Sequence, residues 1–135
     1  MTFTNERRNR YYGLRIGDIV EFEILGHNKL RAEVIEYVYM DNNRVILRLL
    51  SGKQTGEITD WVAEWCTIIE KVEDRFPDWI FCLGNKVCKK SGKPFKSGIK
   101  ENAVRGIVNH PELNLPAFVF EEDDSYVECR KCLCV

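Results

Sequence analysis

The chain has 135 residues, a hydrophobic fraction of 44%, an aromatic fraction of 11% and a formal net charge of −1. That composition excludes a disordered chain, and the charge excludes a uniformly basic surface that would bind nucleic acid everywhere. The longest apolar stretches, such as Val45–Leu50, are broken by charge and too short to span a bilayer, and no apolar h-region follows the polar opening MTFTNERRNRYYGLR. A cytoplasmic protein without a membrane partner is therefore expected, its six cysteines reduced or metal-bound.

Residues 1–12 read as a flexible basic arm, with Arg7, Arg8 and Arg10 beside Tyr11 and Tyr12. A frayed terminus is the plain account; an arm gripping nucleic acid by charge and stacking is the alternative. In Ile19–Gly26, Val20, Phe22 and Ile24 alternate with Glu21 and Glu23, the period of a half-buried strand. Leu30–Met40 reads as a longer strand with a bulge or bend near Glu33–Glu36. Asp41-Asn42-Asn43 predicts a tight turn before a strand over Arg44–Leu50. A short strand over Thr55–Thr59, one helical turn over Asp60–Trp65 capped by Asp60, and a last strand over Cys66–Val72 complete the first half.

This series resembles the SH3-like small barrels, in particular their Tudor and KOW variants. The likeness rests on Gly17-Asp18-Ile19-Val20-Glu21-Phe22, the long bent second strand, Val45-Ile46-Leu47, and Asp60-Trp61-Val62 before the closing strand. A KOW motif usually carries a glycine where Arg31–Ala32 stand. The resemblance implies a β barrel over 13–75 that binds other molecules rather than transforming them.

Pro77 interrupts the junction, and the apolar run Trp79–Leu83 predicts a strand into a second β-rich lobe, 76–135. Lys86–Lys90 reads as a strand, Ser91–Pro94 as a turn, and Glu101–Asn109, Ala117–Glu121 and Tyr126–Cys132 as a three-stranded meander. Lys90–Gly98 and Ala117–Ser125 are similar to segments of small phage-encoded proteins, which implies a viral origin and no mechanism. No repeat of 20–50 residues is evident. The expected architecture is mainly β: an SH3-like small barrel followed by a small antiparallel β-meander lobe.

The charges are unevenly placed. Lys86, Lys89, Lys90, Lys93, Lys96, Lys100 and Arg105 face only Glu101 in sequence, a net of +6, whereas residues 112–128 carry six acids and no cation. Either the two blocks pair across strands, or the first is a phosphate-binding surface, with Ser91-Gly92 and Ser97-Gly98 freeing backbone N–H groups. The glycine spacing is not that of a Walker loop. Cys129-Arg130-Lys131-Cys132 is a C-x-x-C; with Cys82 and Cys88 it makes four thiols for a possible structural zinc, against buried inert thiols as the alternative. Otherwise no cofactor is expected. Tyr37, Tyr39, Trp61 and Trp65 form either a cage for methylated cations or core packing.

His27 and His110 stand in no nucleophile motif, and Glu121–Asp124 lacks the spacing of a calcium loop. No enzyme is expected. The sequence predicts a non-catalytic binding module whose partner is nucleic acid or a nucleic-acid-processing protein, held through residues 86–105. The alternatives are a phage-type inhibitor of a host protein and a sequestering binder of a phosphorylated nucleotide.

Overall fold

A computed structural model describes residues 13–24, 28–38, 43–121 and 125–135. The chain is mainly β and divides into two compact units between Arg75 and Phe76. No helix among the described residues is long and apolar enough to cross a membrane. The basic arm, His27, Tyr39, most of the Asp41–Asn43 turn and Glu122–Asp124 lie outside the described residues.

In the first unit, β1 (Ile19–Glu23), β2 (Lys29–Tyr37), β3 (Arg44–Leu49), β4 (Ile58–Val62) and β5 (Thr67–Glu70) form one antiparallel sheet in the order β4-β3-β2-β1-β5. The sheet stays open, with β4 and β5 as its edges. The period-2 pattern places Val20 and Phe22 in the core with Ala32, Val34, Val45 and Leu47. Each large apolar side chain buried this way is worth roughly 1.5–3 kcal/mol. The expected bulge is present: the β2–β3 register shifts between Val34 and Glu36.

Two expectations here are corrected. The fourth strand starts at Ile58, because Thr55 turns the chain by donating its hydroxyl to the Gly52 carbonyl (2.9 Å) and Gly56 follows at φ +94°. Asp60 lies in that strand and caps nothing; its carboxylate accepts from Arg44 Nε at 2.7 Å across the β3–β4 pair, and the 3-10 turn begins later, at Ala63–Trp65.

Charged groups also organise this unit from inside. Glu33 is buried and accepts from Arg48 Nη2 (2.5 Å) and Arg75 Nη1 (2.6 Å). Buried Asp18 accepts from the Arg15 N–H and from the Val72 N–H, both at 2.9 Å, which ties the one-turn helix Val72–Arg75 to the start of β1.

The second unit holds β6 (Lys86–Lys89), β7 (Asn102–Asn109), β8 (Pro116–Phe120), β9 (Val127–Glu128) and β10 (Cys132–Cys134), in the order β10-β6-β7-β8-β9. The expected three-stranded meander is thus part of five strands. Trp79–Leu83 is no strand: Ile80–Cys82 forms a 3-10 turn, with the Trp79 ring edge-on to Phe118 at 6.3 Å. The segment 126–132 breaks after Glu128 into a 3-10 turn, Cys129–Lys131, before β10. Phe118, Phe120 and Phe95 are buried in this unit, with the Phe95 and Phe120 rings 4.8 Å apart.

Both units follow one plan. Each has its fifth strand beside its first and a 3-10 turn between its fourth and fifth. Each fastens the start of its first strand to its second by a reciprocal pair of backbone hydrogen bonds. Gly17 N–H donates to the Val34 carbonyl and Val34 N–H to the Asp18 carbonyl; Gly84 N–H donates to the Val104 carbonyl and Val104 N–H to the Asn85 carbonyl, all at 2.8–3.0 Å. Both glycines have positive φ, +98° and +81°, a conformation that costs other residues steric strain. Each second strand carries its bulge just after that valine. Register then equates Val20 with Val87, Ala32 with Asn102, Ala63 with Cys129, and Trp65 with Lys131.

Candidate functional site

A hollow of about 660 Å³ lies in the second unit. Backbone pairing builds it. Cys132 lies opposite Lys89 in the β6–β10 register, and Lys90 N–H donates to the Lys131 carbonyl at 2.9 Å. This join sets the end of β6 beside the 3-10 turn Cys129–Lys131. Lys89, Lys90, Arg130 and Lys131 therefore line the same space, although forty residues separate the two pairs.

The turn after β6 adds a further cation. Gly92 reverses the chain at φ +78°, its N–H donating to the Lys89 carbonyl at 3.0 Å, and Lys93 returns to the rim. Lys93 N–H donates to Ser91 Oγ at 3.3 Å. Lys89 is positioned by its Nζ, 5.4 Å above the centre of the buried Phe95 ring, a cation–π contact that orients the ammonium without neutralising it.

Among the described residues that line the hollow, Glu128 carries the one carboxylate. It accepts from Arg130 Nε at 2.6 Å and lies 3.8 Å from Lys131 Nζ. The Arg130 hydrogen bond holds its carboxyl below the usual carboxylate range, against the opposing effect of burial. Among the described lining residues, five cations thus accompany one anion that is already engaged, an excess of positive charge. On another part of the wall, the His110 and Tyr126 rings stand 5.8 Å apart at 60°, with Leu113 nearby.

Three of the seven predicted cations, Lys89, Lys90 and Lys93, come together here. The other four do not line it. Lys86 alternates to the face of β6 opposite Lys89. Lys96 and Lys100 are exposed in the following loop, and Arg105 sits at the β7 bulge. Sequence reasoning missed Arg130, Lys131, Tyr126 and His110. The signal for Arg130 and Lys131 lies in Cys129-Arg130-Lys131-Cys132, where two cations stand between the cysteines.

The four thiols do not assemble as a zinc set. Among the described residues no three His, Cys, Asp or Glu side chains are placed to hold a metal ion. The reason is strand alternation: Cys88 lies opposite Leu133, whereas Cys132 lies opposite Lys89, so their side chains leave opposite faces. Cys82, Cys129 and Cys132 are buried free thiols. Burial, together with neighbouring thiols, pushes Cys82 up to about 12. Burial pushes Cys132 up to about 11 and moves Cys129 in the same direction.

The corresponding place in the first unit has different chemistry. A smaller hollow of about 170 Å³ lies at the end of β1 and the start of β5, lined by Phe22, Glu23 and Trp65 among others. Register equates these three with Lys89, Lys90 and Lys131. Trp65 is 65% exposed, its ring 6.0 Å from that of Trp61, which packs with Tyr37 against the core. The shared strand plan therefore does not itself require cations at this position. No family model, curated protein or solved structure matches the chain.

Proposed function

We propose that the chain is a non-catalytic binding protein whose second unit takes an anionic, phosphate-bearing ligand, nucleic acid foremost, in the hollow between β6 and the 3-10 turn Cys129–Lys131. The first unit is read as an SH3-like fold with an open sheet, and the second repeats its strand order; such a scaffold supplies position rather than chemistry. The observation that carries this reading is the convergence of Lys89, Lys90 and Lys93 with Arg130 and Lys131 beside the already engaged Glu128 carboxylate. Like charges repel when brought together, and the repulsion is relieved by a bound anion. The first unit supports the reading by contrast, because the same plan there carries Phe22, Glu23 and Trp65.

The test is a matched pair of triple substitutions. Lys90, Lys93 and Lys131 are all exposed, as are Lys86, Lys96 and Lys100, and each triple removes the same charge. Changing Lys90, Lys93 and Lys131 to alanine is expected to reduce the slope of log affinity against log salt by about 2 for a single-stranded oligonucleotide, at roughly 0.7 per lost phosphate contact. Changing Lys86, Lys96 and Lys100 should leave most of the slope in place. Equal losses from both triples would reduce the hollow to general charge attraction.

A further inference from the structure

We infer that the hollow accommodates one unstacked nucleotide with its 5′-phosphate, rather than tracking a continuous phosphate backbone. This rests on the anion-binding reading above and narrows it to a ligand class. The shape comes first. At about 660 Å³ the hollow is in the size range of small-molecule pockets, whereas backbone tracking calls for an extended groove.

The wall is chemically divided. Lys89, Lys90 and Lys93 gather at the β6 turn, where a phosphate would be held. The Tyr126 ring, with His110 tilted 60° beside it, supplies the aromatic face that a base requires for stacking.

His110 is also fixed as a specific kind of group. Its Nδ1 accepts from the Glu112 N–H at 3.1 Å and the Leu113 N–H at 3.2 Å. With Nδ1 facing these backbone N–H groups, Nε2 is the ring nitrogen left to meet a ligand. A purely phosphate-binding site would be served equally well by another lysine. A ring beside Tyr126 with one nitrogen left for a hydrogen bond suits the polar edge of a base.

A phosphorylated nucleoside reaches such a site either free or as the terminus of a strand, and one calorimetric series separates the two. Adenosine 5′-monophosphate, adenosine, inorganic pyrophosphate and 5′-phosphorylated and 5′-hydroxyl oligodeoxyadenylates are titrated into the full chain. The expected result is 1:1 binding of the monophosphate, at least tenfold tighter than both adenosine and pyrophosphate. Tighter binding of the phosphorylated oligonucleotide than of the monophosphate would identify a strand end as the source. Equal affinity would identify the free nucleotide. Tyr126→Leu should weaken the monophosphate by about tenfold, in line with loss of one base stack, and leave pyrophosphate unchanged. The comparison of monophosphate with pyrophosphate needs no variant, so a misfolded Tyr126→Leu protein does not remove the test. Oligonucleotide binding that the monophosphate fails to displace would overturn the single-nucleotide inference and leave the anion site standing. No binding of any phosphate-bearing probe would overturn both.

Discussion

Asn102 provides a prediction that follows from comparing the two units. It is 1% exposed, and neither its Nδ2 nor its Oδ1 has a hydrogen-bond partner. The register puts it opposite Val87, where the first unit has Ala32 opposite Val20. Asn102→Ala should therefore stabilise the second unit. An unsatisfied buried amide costs about 1–3 kcal/mol. Truncation to alanine leaves a void of roughly 25 Å³, and at about 24 cal/mol per Å³ that returns some 0.6 kcal/mol of the gain. The net expectation is about 1 kcal/mol, a rise of roughly 4–8 °C in the melting temperature of a unit this small. Thermal unfolding by circular dichroism and calorimetry reads it, with the transition of the first unit as internal reference. A fall in melting temperature would refute the reasoning, because it would mean that the amide is satisfied in solution.

Two further predictions concern buried charge and thiols. Glu33→Gln removes the buried carboxylate that Arg48 and Arg75 share, which leaves the buried Arg48 guanidinium without that charge partner while Arg75 keeps Glu70 at 3.8 Å; about 3 kcal/mol of destabilisation in urea is expected, against less than 1 for Asp60→Asn at the exposed Arg44 pair. A loss from Glu33→Gln no larger than that from Asp60→Asn would contradict the network. Stability should also fall in alkali. Thiols ionise near 9 when unfolded, whereas Cys132 and Cys82 are held to about 11 and about 12 in the fold, so their contribution is present below pH 9 and lost as pH rises through 11–12. Urea midpoints across that range test the loss, with a Cys82→Ala, Cys132→Ala variant expected to flatten it. Equal slopes in both proteins would remove the thiols as its cause.

Where local pattern decides structure, the sequence was legible. Alternation in Ile19–Glu23 is β1, and the mixed pattern of Leu30–Met40 announced the bulge at Val34–Glu36. Legibility failed where partners are remote in the chain. Pairing of β6 with β10 depends on residues more than forty positions apart, and neither strand signals its partner. The basic hollow was half visible for the same reason: Lys89, Lys90 and Lys93 form a run, but only that pairing brings Arg130 and Lys131 to them. The shared plan was hidden more deeply. Of the positions that register equates, Gly17 and Gly84, Val20 and Val87, Val34 and Val104, and Cys66 and Cys132 are identical, and most others match only in burial. A small β core asks for apolar volume at these sites and accepts many side chains that supply it. Trp79–Leu83 misled because a short apolar run serves a partly buried turn as well as a strand.

The most direct measurement is residue-resolved nuclear magnetic resonance of the labelled protein, titrated with a 5′-phosphorylated single-stranded oligonucleotide at moderate salt. The account predicts amide shifts confined to Lys89–Lys93, His110–Leu113 and Tyr126–Lys131, saturating together. Shifts centred on Lys96, Lys100 and Arg105, or on the first unit alone, would contradict it.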